Sequence, residues 1–193
     1  MIVHAVRVGP IGTNCYLVED ETTKETLIVD PGDEAEKILD VIKKNGLKPR
    51  YIVNTHGHFD HVTGNLKLKE KTGAPVLSHE LDAFLIALTL PLPPDNFLKD
   101  GDRLKVGRLT FTVIHTPGHT PGGICLYCEK EKTLFSGDTL FYGTTGRTDL
   151  PYASEKDMGI SFKKLLTLPD ETKVYPGHGQ PTTIGQEKLI NDF

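Results

Sequence analysis

Short runs of alternating apolar and polar residues, separated by turn sequences, make up most of this chain. Alternation with a period of two predicts strands, and apolar positions that recur every three to four residues predict helices. Strands are predicted over residues 2–8, 15–19, 26–29, 51–54, 75–78, 103–106, 109–114, 123–129, 133–135 and 173–175. Helices are predicted from a capping box at Asp33 and Glu36 to Asn45-Gly46, and over residues 62–71, 80–88 and 154–168.

Two stretches interrupt this alternation. Residues 90–102 contain Pro91, Pro93 and Pro94, and we expect a partly apolar surface loop there. The chain after His178 is expected to form only a short tail. The first three strands are expected to be antiparallel, helices and strands alternate after them, and hairpins follow, which indicates the α/β (α+β) class. A length of 193 residues predicts one domain over residues 1–193.

Composition narrows the classes of partner. The formal net charge is −4, with no basic stripe of the kind that neutralises a phosphate backbone, so nucleic acid is not expected to bind. No apolar run is long enough to suggest a membrane span, and the alternating N-terminus is unlike a signal peptide. Three cysteines do not form a disulfide framework and suit a reducing compartment, so we expect the cytoplasm. The sequence does not address the oligomeric state.

Metal-binding residue types follow four separate apolar runs. Loops at one edge of a sheet can bring such residues together, and the glycines and prolines beside them permit tight turns near an ion. A run of histidines and aspartate follows the strand at 51–54, and single candidates follow three later strands. The candidate ligands are His56, His58, Asp60, His61, His119, Asp138 and His178.

The spacing within the first group indicates two metal positions. His56 and His58 are two residues apart, so on an extended segment they project to the same side, whereas Asp60 and His61 are adjacent and must diverge. Asp138 can bridge two ions, because a carboxylate offsets the repulsion between them. Imidazole and carboxylate without thiolate suit an open catalytic site for zinc, iron or manganese. We expect two divalent ions per chain, with zinc as the first choice.

Such a pair of ions supplies the chemistry of a hydrolase. It lowers the pKa of a shared water so that hydroxide exists near neutrality, and it stabilises the oxyanion that follows attack on a carbonyl. Asp60 and Asp138 are the predicted catalytic carboxylates. No separate nucleophilic side chain is needed.

Several other residues have two interpretations. His115 is either a ligand or a residue that supports one, and Asp30 is either a turn residue or a partner of a ligand. Cys125 and Cys128 match C-x-x-C but lie in a predicted strand, where residues three apart face opposite sides, which favours packing in the core over redox or zinc chemistry. His4 and His79 are isolated and are not expected to bind metal.

The chain resembles the metallo-β-lactamase superfamily, and within it the glyoxalase II (hydroxyacylglutathione hydrolase) group. The resemblance covers essentially the whole chain and rests on four motifs, which are THGHFDH at 55–61, TPGHT at 116–120, SGDTLF at 136–141 and YPGHG at 175–179. It implies a four-layer αββα sandwich, the metallo-β-lactamase fold. It also implies one metal on His56, His58 and His119, a second on Asp60, His61 and His178, and Asp138 between them.

The resemblance says less about the substrate. It implies hydrolysis of a thioester such as S-lactoylglutathione, but the chain ends soon after His178, so it looks like a short form without the C-terminal helical domain of full-length glyoxalase II. Arg147 matches a basic residue that the family places near the carboxylates of the thiol peptide, whereas Asp149 stands where an aromatic residue is expected. Tyr142 and Arg147 are the candidate substrate contacts, and residues 90–98 and 141–152 are the expected pocket walls.

Other functions of the same fold are the alternatives. The Gly-Arg-Thr-Asp run at 146–149 is similar to that of short bacterial glyoxalase II-like proteins and of persulfide dioxygenases. The dioxygenases keep a single iron on two histidines and one aspartate. Asp138 stands where the β-lactamases of the superfamily generally place a cysteine, which argues against lactam hydrolysis. A metallo-hydrolase of another small ester and a protein that only binds its ligand complete the alternatives.

Overall fold

Two six-stranded sheets form the centre of the protein, which a computed structural model describes for residues 1–191. The first sheet contains, in spatial order, β1 Ile2–Val8, β2 Thr13–Glu19, β3 Glu25–Val29, β4 Lys48–Val53, β5 Val76–His79 and β6 Asn96–Leu98. The second half of the chain forms β7 Arg103–Val106, β8 Leu109–His115, β9 Ile124–Cys128, β10 Thr133–Gly137, β11 Leu140–Phe141, β12 Thr144–Thr145, β13 Lys173–Pro176 and β14 Thr182–Thr183. The second sheet has the order β14-β13-β10-β9-β8-β7, and β11 and β12 form a separate small hairpin.

Strand direction brings the ends of several strands to one edge. In the first sheet β1, β2 and β3 are antiparallel, as predicted, and β3 to β6 are parallel. In the second sheet β9 is antiparallel to both β8 and β10, and β13 is parallel to β10. The strands β8, β10 and β13 therefore run in the same direction, and their carboxyl ends lie at the same edge.

Helices cover the outer faces of both sheets. They are α1 Ala35–Asn45, α2 Phe59–Val62, α3 Asn65–Thr72, α4 Ala83–Thr89, α5 Glu155–Leu165 and α6 Ile184–Ile190, with a short 3-10 helix at Glu80–Asp82. Ile38 of α1 and Leu68 of α3 are buried against the first sheet, and Phe162 of α5 is buried against the second. These layers make the αββα sandwich that the family resemblance implied.

The largest core lies between the two sheets. Phe135 of β10 is fully buried there, with ring contacts to Phe111, Tyr16 and Tyr175. Burying such rings removes a large apolar area from water and stabilises the pairing of the sheets. This core therefore fixes the two sheets whose loops meet at one edge.

The cysteines of β9 lie in the core, as expected. Cys125 packs in the cluster under α5, and Cys128 packs between the sheets, so the two face opposite sides of the strand. Both are free, as is Cys15 of β2, and all three are buried. The interpretation of C-x-x-C as packing is confirmed.

The helix predicted over 62–71 is in fact two short helices. Its first turn begins earlier, at Phe59, and Thr63-Gly64 separates α2 from α3. The backbone N–H of Gly64 donates to the carbonyl of Pro31 at 2.8 Å, and a Cβ at Gly64 would lie 2.5 Å from that oxygen. Contact with the loop after β3 interrupts the helix, which periodicity could not show.

The predicted capping box at the first helix is wrong. Glu34 precedes α1 with a φ of 46° and makes no capping hydrogen bond through its side chain. The Asp33 carboxylate instead accepts from the backbone N–H of Glu34 at 2.6 Å. The Asp33 side chain is used before the helix begins, so it does not cap the first turn.

Two stretches contain more regular structure than predicted. Residues 96–98 form β6, because the N–H of Asp95 donates to Val76 and its side chain accepts from the N–H of Val76. Leu90 and Leu98 are buried, so the two ends of this segment contribute to the core, whereas Phe97 is exposed; its role as a pocket wall stays a prediction. The chain after His178 forms β14 and α6. Within residues 1–191, no helix has the length and apolar character needed to cross a membrane.

Candidate metal centre

The predicted ligands meet where strands from both sheets end. His56 and His58 follow β4, and Asp60 and His61 lie on the short helix α2. The other three follow strands of the second sheet, His119 after β8, Asp138 after β10 and His178 after β13. All seven predicted ligand residues are brought together, and they fall into three overlapping groups.

The first group consists of three histidines. The ligand nitrogens of His56, His58 and His119 all lie within 4.8 Å of one another. The Nδ1 atom of His58 is 3.0 Å from Nε2 of His119. The Nε2 atom of His56 is buried and has no hydrogen-bond partner. A buried nitrogen without a partner is costly, and a metal ion bound by this group would satisfy it.

The second group contains one aspartate and two histidines. Nε2 of His61 lies 3.2 Å from Nε2 of His178 and 3.4 Å from Oδ2 of Asp60, and that oxygen is 3.2 Å from Nε2 of His178. Two ligand atoms at about 2.0–2.1 Å from one tetrahedral ion lie about 3.3–3.4 Å apart. The three atoms thus have the spacing of ligands around a single ion.

Asp138 lies between the two groups. Its Oδ2 atom is 3.6 Å from Nε2 of His119 and 3.5 Å from Nε2 of His178, and its Oδ1 atom is 3.5 Å from Nε2 of His61. Oδ1 has no hydrogen-bond partner. Burial raises the pKa of Asp138, and the neighbouring His61 and His178 oppose this shift. The carboxylate is positioned to contact an ion in either group.

Two glycines pack closely around Asp138 and the loop that carries it. A Cβ at Gly177 would lie 2.2 Å from Oδ1 of Asp138, so only glycine leaves room for the carboxylate. Gly137 has a φ of 49°, and a Cβ there would lie 2.2 Å from Oγ1 of Thr55. Both glycines are therefore required by close approach at the site.

Hydrogen bonds orient two of the imidazoles. Nδ1 of His119 is 2.8 Å from the carbonyl oxygen of Arg147, and Nδ1 of His56 is 3.2 Å from the hydroxyl of Thr55. These partners place the ring proton on Nδ1, so in both rings Nε2 is free to bind an ion. The tautomer of each ring is thus assigned from the hydrogen-bond partner of its Nδ1 atom.

Asp30 supports the ligands and is not merely a turn residue. Its carboxylate accepts from the backbone N–H and the hydroxyl of Thr55, both at 2.7 Å. Its Oδ2 atom also lies 3.1 Å from Nδ1 of His61. Asp30 has a φ of 50°, so a strained backbone accompanies this contact. Of its two interpretations, the structure favours the partner of a ligand.

His115 is outside the ligand groups. Its Nε2 atom is 2.9 Å from the carbonyl oxygen of Pro121, and its ring stacks on that of His79 with centroids 4.3 Å apart. Its hydrogen bond to the loop that follows His119 fits a supporting role. His4 lies beside Glu19, with Nε2 2.8 Å from Oε2, and also makes no contact with the groups.

The electrostatics of the two groups differ. Burial, together with the neighbouring histidines, lowers the pKa of His56 well below its usual range and lowers that of His58 to about 4. Burial alone would also lower the pKa of His61, but Asp138 and Asp30 outweigh it and raise the pKa to about 9. His56 and His58 are therefore neutral near pH 7, and the carboxylates give the second group a strong attraction for cations.

The side chains of the two predicted substrate contacts are exposed, although the backbone of Arg147 contacts His119. Tyr142 borders an open cleft of about 380 Å³ that Lys173, Tyr175 and Gln186 also line. Arg147 forms a bidentate ion pair with Asp149, with distances of 2.7 and 2.8 Å. The partner of Arg147 within its own loop was not foreseen from the sequence.

Asp82 is the buried carboxylate beside the site that sequence reasoning missed. It is completely buried and accepts hydrogen bonds from Gly57, Thr120 and Gly122. It belongs to no motif and lies more than twenty residues from each of these donors. The only local signal in the sequence is that Asp82 is a polar residue directly before the apolar helix α4.

Comparison with known proteins agrees with this geometry. The sequence profile described as "Metallo-beta-lactamase superfamily" matches residues 8–178. The chain belongs to the metallo-β-lactamase superfamily. The family and the fold expected from the motifs are thus confirmed, and the superfamily is generally hydrolytic.

Two superfamily members from the curated proteins cover this chain completely. A protein of Aquifex aeolicus with no characterised function is 46% identical and aligns over 97% of its own length. The protein of Haemophilus influenzae described as "Hydroxyacylglutathione hydrolase GloC" is 37% identical and aligns over 98% of its length. Both relatives are similar to the chain along nearly their whole length.

Three solved structures share the metallo-β-lactamase fold with this chain. The B3 metallo-β-lactamase BLEG-1 has a TM-score of 0.93 and 37% identity, with 97% of both chains covered. TTHA1623 in a di-iron-bound form has a TM-score of 0.89 and 43% identity, with 98% of both covered. ETHE1 from Myxococcus xanthus has a TM-score of 0.88 and 32% identity, covering 99% of this chain and 83% of its own.

Proposed function

We propose that this protein is a metal-dependent hydrolase of thioesters, of the hydroxyacylglutathione hydrolase kind, that uses two divalent ions. One observation carries the proposal. The groups around His119 and His178 each have the spacing of ligands around one ion, and Oδ2 of Asp138 lies 3.6 and 3.5 Å from their nitrogens. The full-length similarity to a hydroxyacylglutathione hydrolase supports the choice of substrate class.

The chain's own residues hold and orient the reacting groups. His56, His58 and His119 would hold one ion, and Asp60, His61 and His178 would hold the other, with Asp138 shared. When bound, the two ions supply a water of lowered pKa and stabilise the negative charge that develops on the carbonyl oxygen.

Asp60 is held ready for this role by its neighbours. Its Oδ2 atom accepts a hydrogen bond from the hydroxyl of Thr13 at 2.9 Å, which leaves the carboxylate charged and oriented toward His178. Contacts with His178, His61 and Thr13 outweigh burial and keep the pKa of Asp60 well below its usual range. Asp60 and Asp138 are the proposed catalytic carboxylates.

The proposed metal is zinc. Imidazole and carboxylate ligands without thiolate suit zinc, iron and manganese. The di-iron form of TTHA1623, which is 43% identical, makes iron the main alternative. Elemental analysis of protein purified without added metal measures both the identity and the number of ions. Two ions per chain are expected.

Turnover measurements test the proposed reaction. Metal-loaded protein should hydrolyse S-lactoylglutathione, and simple acyl thioesters should be hydrolysed more slowly or with a higher KM. Nitrocefin is assayed in parallel because BLEG-1, at 37% identity, is a B3 metallo-β-lactamase. Absence of turnover on every thioester, or faster turnover of the lactam, would contradict the proposal.

A persulfide dioxygenase is the second candidate. The similarity to ETHE1 at 32% identity and the Gly-Arg-Thr-Asp run at 146–149 favour it. Such an enzyme needs only one iron, held by two histidines and one aspartate, whereas this protein has candidate ligands for a second ion as well. Oxygen consumption with glutathione persulfide, at one iron per chain, would establish this alternative instead.

The proposals for the substrate, the cellular location and the number of domains rest on separate observations. We propose a small-molecule substrate, and the three buried free cysteines fit a reducing compartment, for which the cytoplasm is the proposal. We propose one domain, because the core between the sheets contains residues from Tyr16 to Phe135.

A further inference from the structure

Asp82 is a buried carboxylate with an unusual set of partners. It ends the 3-10 helix that precedes α4, and it is completely buried. Its Oδ2 atom accepts from the backbone N–H of Gly57 at 2.8 Å and from the hydroxyl of Thr120 at 2.7 Å. Its Oδ1 atom accepts from the backbone N–H of Gly122 at 2.6 Å. Within residues 1–191, no lysine or arginine pairs with it.

These three donors belong to the two loops that carry the first group of ligands. Gly57 lies between His56 and His58, and Thr120 directly follows His119. The two loops extend from different sheets, so their separation is not fixed by a shared strand pair. The hydrogen bonds from both loops to one carboxylate fix that separation, together with the backbone bond from the N–H of Ile124 to the carbonyl of Thr55 at 2.8 Å.

The packing around Asp82 leaves little freedom for either loop to shift. A Cβ at Gly57 would lie 2.9 Å from the carbonyl oxygen of Asp82, and a Cβ at Gly122 would lie 2.6 Å from Oδ1. Both loops therefore approach as closely as glycine permits. Charge-assisted hydrogen bonds of this length are stronger than neutral ones, and their loss in a buried site is costly.

We propose that Asp82 is a positioning residue that sets the geometry of the His56, His58 and His119 group for metal binding. It does not touch the proposed ion, and it acts through Gly57, Thr120 and Gly122. The second group has separate supports, since Asp30 contacts His61 and Thr13 contacts Asp60. The effect of Asp82 is therefore confined to one of the two sites. The inference rests on the proposed function only in requiring that both groups bind metal.

Replacement by asparagine tests this role with little change in volume. In Asp82→Asn, an amide NH₂ replaces one acceptor oxygen and faces an N–H or hydroxyl donor. Changes to residues that orient metal ligands typically weaken metal affinity by roughly 10–100-fold. Metal content measured at a buffered free-zinc concentration should fall from two ions per chain to one. Competition titration should show one weakened site and one unchanged site.

Asp20 provides a matched control. It is also a buried carboxylate that joins two loops, and it accepts from the backbone N–H groups of Thr22 and Arg108 at 3.0 and 2.5 Å. A Cβ at Gly107 would lie 2.2 Å from its Oδ2 atom, so the packing is similarly close. Asp20 contacts none of the ligand groups. The variant Asp20→Asn should keep two ions per chain with unchanged affinity.

Double variants identify which site is affected. His58→Ala removes a ligand of the first group, so combining it with Asp82→Asn should leave one ion per chain. His178→Ala removes a ligand of the second group, so combining it with Asp82→Asn should leave almost none. The reverse pattern would overturn the proposal.

A second variant keeps the proposal testable if Asp82→Asn fails to fold. Thr120→Val removes one of the three hydrogen bonds with little change in shape, and it should weaken the same site by a smaller factor. Unchanged affinity in Thr120→Val, or equal losses in Asp82→Asn and Asp20→Asn, would refute the role of Asp82. Wild-type protein that binds no metal at all would instead refute the proposed function.

Discussion

Asp138 is the residue on which the proposed centre depends most. It contacts nitrogens of both ligand groups, and its Oδ1 atom has no other partner. Five imidazoles carry no negative charge, so Asp138 and Asp60 supply the charge that holds two cations close together. Loss of Asp138 would affect both ions at once.

Replacing Asp138 by asparagine is expected to lower kcat/KM for S-lactoylglutathione by more than about 100-fold, beyond the usual effect of changing a residue outside the ligand set. The amide has the same shape but lacks the charge. Steady-state kinetics with metal analysis checks this result. Asp20→Asn, a buried carboxylate remote from the site, should remain active. Activity near the wild-type level in Asp138→Asn would exclude the bridging role.

Arg147 is the proposed contact for an anionic end of the substrate. Arg147→Ala should raise KM for S-lactoylglutathione several-fold and leave kcat nearly unchanged, because a contact away from the reacting carbonyl acts on binding. Arg108→Ala is the control, since Arg108 is also an exposed arginine that lies near an aspartate, 3.5 Å from Asp20. Equal KM values for the two variants would remove Arg147 from the substrate site.

Titration of His58 predicts how pH affects the metal-free protein. Burial lowers its pKa to about 4 in the folded state, whereas the unfolded chain protonates it near pH 6.5. Between these values the unfolded state binds more protons, so the free energy of unfolding falls as pH drops through this window. Urea unfolding of metal-free protein from pH 7 to pH 4.5 measures the slope. His58→Gln should have a shallower slope, and an identical one would count against this account.

At the scale of the elements, short loops and helix ends carry the candidate metal ligands. The turn at Gly64 divides α2 from α3 and leaves Asp60 and His61 on a single helical turn directed at His178.

The last helix, α6, connects to the hairpin of β11 and β12 through the side chain of Glu187. Glu187 is completely buried and accepts from the hydroxyl of Thr182 at 2.6 Å and the N–H of Gly143 at 2.8 Å.

Glu187→Ala should lower the free energy of unfolding by about 1–3 kcal/mol, because it leaves buried donors without a partner. Chemical denaturation of the metal-loaded protein measures this change. Glu70→Ala, at an exposed position of α3, should change stability by less than about 0.5 kcal/mol. Similar losses in both variants would show that the contact to the hairpin adds nothing.

For the whole molecule, the core between the sheets determines whether the two sets of loops meet. Phe135 contacts aromatic rings from both sheets and lies in β10, three residues before Asp138. Any shift of the sheets relative to each other would separate His58 from His119. Stability of this core and geometry of the site are therefore linked.

Phe135→Ala is expected to lower the free energy of unfolding by about 3–5 kcal/mol, the usual cost of a large cavity in a packed core. Phe97→Ala, at a side chain that is 45% exposed on the edge strand β6, should cost much less. Guanidinium chloride unfolding compares the two. A small loss in Phe135→Ala would mean that the sheets repack around the cavity.

The sequence by itself determined which residues are the candidate metal ligands and the class of the fold. His56, His58 and Asp60 lie within five residues, and the other ligands each follow an apolar run, so residue type and local spacing were sufficient. The strands β7 to β10 and β13 of the second sheet were predicted for a similar reason, because alternation depends on neighbours along the chain, whereas β14 was missed. The break between α2 and α3 was missed because its cause, the carbonyl of Pro31, is distant in sequence.

Only the tertiary structure decided which polar residues support the ligands. Asp82 meets Gly57 across 25 positions and Gly122 across 40, and Asp30 meets Thr55 across 25. No local pattern encodes such pairs, because the donors become neighbours only after the two sheets have packed. Buried polar groups require partners, but the sequence does not say which partners folding will bring within hydrogen-bonding distance.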